Sequence, residues 1–152
     1  MSVNAHIGTV SKEKMHIFEG WDGIWEGQGW SADQSQQKFE FTVKETIRKK
    51  VNGHAYLAEG IGTKISTVEV GFQSLGDFYY NNEKQTYEIK SFLDDGKTSL
   101  STGKLTENGD LVWGFDVPGG TIKYTFSKNG NQWKETGEFT TQDGENTFPL
   151  WK

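Results

Sequence analysis

A chain of 152 residues fits one domain, and at this length folding can bury roughly two-thirds of the unfolded surface. A formal charge of −5 with no basic tail argues against nucleic acid as a partner, and the absence of Cys removes disulfides, thiolate nucleophiles and Cys-based metal sites. No apolar run approaches the ~20 residues a membrane helix needs, so membrane insertion is not expected.

The apolar share is low at 33 %, yet the aromatic share is 14 %, so Phe, Tyr and Trp must supply much of any core. Aromatics suit pleated strands, and nineteen Gly suit a turn-rich sheet rather than a helical protein. The opening Met1-Ser2-Val3-Asn4 shows no charged start followed by an apolar stretch. A cytoplasmic location is therefore expected, with periplasm or export left open should a leader have been removed.

In chain order, residues 1–10 read as weakly ordered. Ser11 can cap a short helix to about Phe18, with Met15 and Phe18 on one face. This N-terminal segment, residues 1–19, is expected to cover one end of a barrel built from residues 20–152. Gly20-Trp21-Asp22-Gly23 breaks the helix, and Ile24 to Trp30 reads as the first strand. Ser31 to Lys38 is polar and reads as a loop. Phe39 to Lys50 alternates: Phe39, Phe41, Val43, Glu45 and Ile47 share one face, and Glu40, Thr42, Lys44, Thr46 and Arg48 the other. Further strands follow at His54–Gly62, Val68–Tyr80, Thr86–Leu93, Ser99–Glu107, Leu111–Val117, Thr121–Ser127, Gln132–Thr141 and Asn146–Lys152. The last breaks off at Phe148-Pro149-Leu150-Trp151-Lys152, and a longer natural chain stays open.

Seven turn signals separate these stretches: Asn52-Gly53, Asn81-Asn82, Asp95-Gly96, Asn108-Gly109, Gly119-Gly120, Asn129-Gly130 and Asp143-Gly144. Asn-Gly and Asp-Gly accept the positive φ angles that hairpins need. Their regular spacing predicts an all-β fold, an up-and-down antiparallel β-barrel of about ten strands with a short N-terminal helix over one end.

Gly23-Ile24-Trp25-Glu26-Gly27-Gln28-Gly29 is the sharpest local pattern. A large indole on a first strand can plug a barrel end, and alternate glycines let that strand coil and let other groups approach it. Gly27 to Ala32 also fits the dinucleotide fingerprint, but a polar loop follows where a helix must begin, so that reading fails. Gly71 to Gly76 misses the nucleophile elbow by one position, and Asp94-Asp95-Gly96 lacks the spacing of a calcium loop. Lys44, Arg48, Lys49 and Lys50 read as a solvated strand end.

The G-x-W-x-G-x-G strand resembles the first strand of the calycin-type ten-stranded barrels that include nitrobindin. Asp77-Phe78-Tyr79-Tyr80, Val112-Trp113-Gly114-Phe115, Pro118-Gly119-Gly120, Trp133-Lys134-Glu135-Thr136-Gly137-Glu138 and Asp143-Gly144 resemble an uncharacterised bacterial lipocalin-like family, over roughly residues 18–152. The resemblance implies a barrel with an internal site, and in nitrobindin-like members haem held by a His late in the chain. This sequence departs there, because its histidines are His6, His16 and His54. With no axial ligand in the last strands, haem is not expected, and the scattered His make no zinc site, so no cofactor or metal is assigned.

The alternation that turns Phe41 inward also turns Glu45 inward, and Trp133 likewise brings Glu135. Arg48, the only Arg, falls outside with Lys44, so a fatty-acid-like carboxylate lacks its usual interior partner. Two desolvated carboxyls would have raised pKa values. They can accept hydrogen bonds from a neutral polar or cationic ligand, work as an acid–base pair, or tie strands together through Tyr, Trp or backbone partners. Glu59 faces outward if a two-residue turn at Asn52-Gly53 pairs Glu45 with Gly60, and inward after a three-residue turn.

The leading expectation is a carrier or sensor for a small apolar or aromatic ligand, lined by Trp25, Phe41, Glu45, Tyr56, Tyr80, Trp113, Tyr124, Trp133 and Glu135. The alternatives are an isomerase- or hydratase-type enzyme using Glu45 or Glu135, and a filled scaffold acting through an outer surface. A homodimer stays open.

Overall fold

The computed structural model describes residues 11–33 and 35–145, together with the backbone of 147–151. The expected disorder of residues 1–10, and His6 with it, lies outside the described residues. So do Gln34 in the first loop and Asn146 and Lys152 of the last strand.

An α-helical turn at residues 11–14 tightens into a 3₁₀ turn at Met15–Phe18. Ten strands follow: β1 (Gly23–Ala32), β2 (Lys38–Lys50), β3 (Ala55–Lys64), β4 (Val70–Asn81), β5 (Thr86–Leu93), β6 (Thr98–Leu105), β7 (Leu111–Val117), β8 (Gly120–Asn129), β9 (Gln132–Thr141) and β10 (Thr147–Trp151). Each pairs antiparallel with the next, and β10 returns to β1, giving an up-and-down barrel. No helix among the described residues is long and apolar enough to cross a membrane.

The loop expected at Ser31–Lys38 contracts, because Ser31 pairs with Phe39 and Ala32 with Lys38. Strand pairing uses backbone groups alone, so polar residues extend a ladder wherever their side chains reach water. The hairpin turns also differ in detail. At Asp95-Gly96 only Gly96 is left-handed (φ 84°), closing a three-residue loop in which the Gly96 N–H donates to the Leu93 carbonyl at 3.0 Å. The β7–β8 turn centres on Pro118-Gly119 rather than Gly119-Gly120, since Pro presets the first central φ and Gly119 supplies the positive second one, 90°.

Asn52-Gly53 sits in a four-residue loop, with Lys50 paired to Ala55. An even-numbered loop preserves the two-residue parity, so Glu45 pairs with Gly60 and Glu59 is exposed on the outer face. The alternation of β2 is realised as expected, with Phe41 and Ile47 buried and Arg48 exposed.

The barrel is filled at the helix end. Met15 and Phe18 enter it from the helix and meet Trp21, Tyr56, Tyr87, Trp113 and Phe126, all buried. Phe18 lies 5.5 Å from Tyr56 and 5.6 Å from Phe78 between ring centroids. The Tyr87 hydroxyl donates to the Lys14 carbonyl at 2.7 Å, fixing the helix over this end. Ser11 does not act as a cap but lies within the helix, its hydroxyl 3.3 Å from Nδ1 of His54.

The wall is uneven. β10 spans Gly137–Thr140 of β9, and it reaches β1 through one described pair, Ser31 with Trp151. Pro149, which has no N–H to donate, sits at a register shift in that strand. Among the described residues, no strand lies between Gly23–Trp30 of β1 and Gln132–Thr136 of β9.

Candidate functional site

An opening of about 800 Å³ occupies that uncovered stretch of wall. From β1 it is lined by Trp25, Gly27 and Gly29, from β2 by Val43 and Glu45, and from β9 by Trp133 and Glu135. Glu26, Gln28, Glu40, Gln132 and Lys134 form its outer rim. Its size falls in the ordinary range of small-molecule sites. Trp25 closes the floor: its indole N–H donates to the Trp21 carbonyl at 2.7 Å, and its ring meets Trp133 edge-on at 6.0 Å. Gly27 has no close approach to explain. A Cβ there would meet nothing within 4 Å, so this glycine leaves room in the opening.

Glu45 and Glu135 approach the interior from opposite sides of β1. Glu45 extends over β3, where a Cβ on Gly60 would lie 2.5 Å from its Oε1 and 2.7 Å from Ser74 Oγ. Only glycine at position 60 leaves the carboxyl this position. Burial pushes the Glu45 carboxyl up to about 7. Glu135 rises to about 8, through burial first and then through the charge of Glu45. The repulsion acts on both acids and is expressed in the one that ionises second. Both keep some accessible surface although protein surrounds them, which places that surface toward the opening. Tyr124 is pushed up to about 12 by burial and by the Glu135 charge, so its hydroxyl stays protonated beside the acid.

Among the described residues, neither carboxyl accepts a hydrogen bond, and burial rather than any donor dominates both shifts. The strand-tying contacts to Tyr, Trp or backbone open to them from sequence are absent from that set. Three other interior polar atoms also lack described partners: Nε1 of Trp133, Nε1 of Trp113 and Oγ of Ser101. Buried polar groups are ordinarily satisfied by protein or by ordered water, so these atoms can take a partner from outside the chain.

All nine residues expected to line the chamber face inward by strand register, but at different heights. Trp25, Glu45, Trp133 and Glu135 meet at the opening. Tyr56, Tyr80 and Trp113 belong to the packed aromatic end, where Tyr56 is 1 % exposed. Tyr124 joins the two zones, stacked on Trp113 at 4.5 Å and electrostatically coupled to Glu135. Phe41 lies apart, buried against Phe72 at 5.6 Å.

Glu88 escaped the sequence reading. It is 4 % exposed although it points outward, held by the Tyr79 hydroxyl at 2.5 Å, the Asn81 amide at 3.2 Å and Lys84 at 3.2 Å. These bonds, the one from Tyr79 foremost, hold its carboxyl below the usual range. The hairpin loop folds over the outer wall here, which period-two reasoning does not capture. The cluster clasps β4 to β5.

Among the described residues, no three His, Asp or Glu side chains gather as metal ligands. His16 is exposed on the helix and His54 flanks a hairpin, so neither lines the opening. No model of a known protein family and no curated protein matches the chain. The architecture itself, an antiparallel barrel with one short helix, is of the kind a calycin-like resemblance implies.

Proposed function

We propose that this protein is a calycin-type binding protein that takes a small molecule with a flat apolar body into the opening between β1 and β9. The observation that carries the reading is a space of about 800 Å³ whose wall presents indole rings and two carboxyls without described hydrogen-bond partners. Trp25 and Trp133 offer ring faces and edges for stacking, and Val43 adds an aliphatic patch. Glu45 and Glu135 orient a polar group of the ligand. No arginine faces this space, which disfavours a carboxylate ligand of fatty-acid type. Haem is not proposed, since neither described histidine reaches the site.

Titration with the neutral apolar dye Nile red, followed by indole quenching, tests this. Saturable one-to-one binding is expected for the parent. Gly27→Trp should abolish it while preserving the fold, because the new side chain enters free space. No saturable quenching by the parent, or unchanged binding by the variant, would remove the site from this opening.

A second reading is an isomerase- or hydratase-type enzyme in which Glu45 and Glu135 exchange protons with a substrate. Its support is that the two acids lie near 7 and 8, where a general acid and base work efficiently at neutral pH. Glu45→Gln and Glu135→Gln would then each abolish turnover with folding intact. Native mass spectrometry of freshly purified protein serves both readings, because a retained guest reveals its class by mass.

A further inference from the structure

Resting on the binding reading above, we propose that the site selects an organic monocation: a protonated amine carried on a flat apolar body that bears an acceptor atom. The geometry fixes each part. Glu45 and Glu135 reach into the same opening from β2 and β9, and neither carboxyl has a hydrogen-bond donor or an ion-pair partner among the described residues. Two carboxyls that feel each other's charge do not both ionise easily, so around neutral pH the pair tends to keep one proton and one negative charge. One positive charge complements that state, and an ammonium offers three N–H donors to the acids that line the opening.

The aromatic wall fits the same ligand. Trp25 and Trp133 stand beside the acids, and indole is the ring that attracts a cation most strongly. A further sign comes from Trp133, which lines the same opening and whose buried indole N–H meets no described acceptor. That N–H supplies a donor for an acceptor atom on the ligand body.

Affinity must then depend on pH in a definite direction. Tyr124 from β8 faces Glu135 together with Glu45. Glu26, Glu40 and Lys134 stand at the rim, and Lys128 turns its ammonium toward Gly20 at the filled end. Raising the pH ionises the two acids and strengthens the hold on an amine, whereas a neutral ligand gains nothing.

Calorimetry with tyramine, its neutral alcohol counterpart tyrosol and its acid counterpart phloretate tests the assignment. Tyramine is expected to bind saturably, at least tenfold more tightly at pH 8.5 than at pH 6, with proton release near pH 7. Tyrosol and phloretate should bind at least tenfold more weakly than tyramine at pH 8.5. Glu45→Gln and Glu135→Gln should each weaken tyramine more than tenfold and remove its pH dependence, with near-UV circular dichroism matching that of the parent to show the barrel intact. Tyrosol matching tyramine, or tyramine affinity flat or falling with pH, overturns the cation. Nile red binding without tyramine binding overturns the cation and spares the site; failure of both ligands overturns both readings.

Discussion

The two zones of the barrel interior draw on the same residue types and put them to opposite uses. At the helix end, Phe18, Trp21, Tyr56, Trp113 and Phe126 touch one another at ring distances of 5.5 to 6.2 Å where they form pairs, and the helix seals them. Beside the β1–β9 gap, Trp25 and Trp133 also touch, but Gly27 and two carboxyls replace the rings that would complete a core. The filled zone follows the rule that interiors are close-packed; the open zone departs from it and holds two carboxyls with no described hydrogen-bond partner. Packing therefore supplies the stability, and the departure supplies the opening.

Removing a ring from the filled zone should produce the largest effect. Phe18→Ala is expected to cost about 3–5 kcal/mol in urea unfolding, because the helix loses its deepest anchor and leaves a cavity. A loss under ~1 kcal/mol would mean that the helix is not part of the cooperative core.

In the open zone the sign reverses. Glu135 and Glu45 hold protons more tightly folded than unfolded, so stability falls as the pH rises from about 4.5 through 8. Glu135→Gln should match the parent near pH 4 and exceed its stability by ~2–4 kcal/mol at pH 9. A variant less stable than the parent at pH 9 would contradict a desolvated acid and indicate a structural hydrogen bond instead.

Smaller effects sharpen the contrast. Tyr87→Phe removes the hydroxyl bond to Lys14 and should cost about 1 kcal/mol, with faster amide exchange confined to the helix. Exchange that quickens throughout the barrel would contradict a local tether. Gly60→Ala presses on Glu45 Oε1 and Ser74 Oγ, both ends of flexible side chains, so a cost of ~1 kcal/mol or less is expected. Its main readout is a displaced Glu45 titration, and an unchanged one would place that carboxyl elsewhere.

Much of this was legible in the sequence. The alternation from Phe39 to Lys50 placed Glu45 inside and Arg48 outside, since a strand's side chains leave alternate faces. Gly96 and Gly109 marked real turns, because only glycine takes their φ of 84° at no steric cost. Height along the barrel was not legible. Trp113 and Trp133 both read as inward, but strand stagger sends one into the packed end and the other to the opening, and stagger belongs to the closed ring rather than to any strand. Glu88 was hidden by a loop folding back over the outer wall.

Carbon-13 NMR titration of the glutamate side-chain carboxyls tests most directly whether two acids share a secluded space. Two resonances, identified by their loss in Glu45→Gln and Glu135→Gln, should titrate near pH 7 and pH 8, and the Glu135 titration should fall when Glu45 is removed. Both titrating near the usual glutamate value of 4.5, and independently of one another, would show that water screens them and that no such chamber exists.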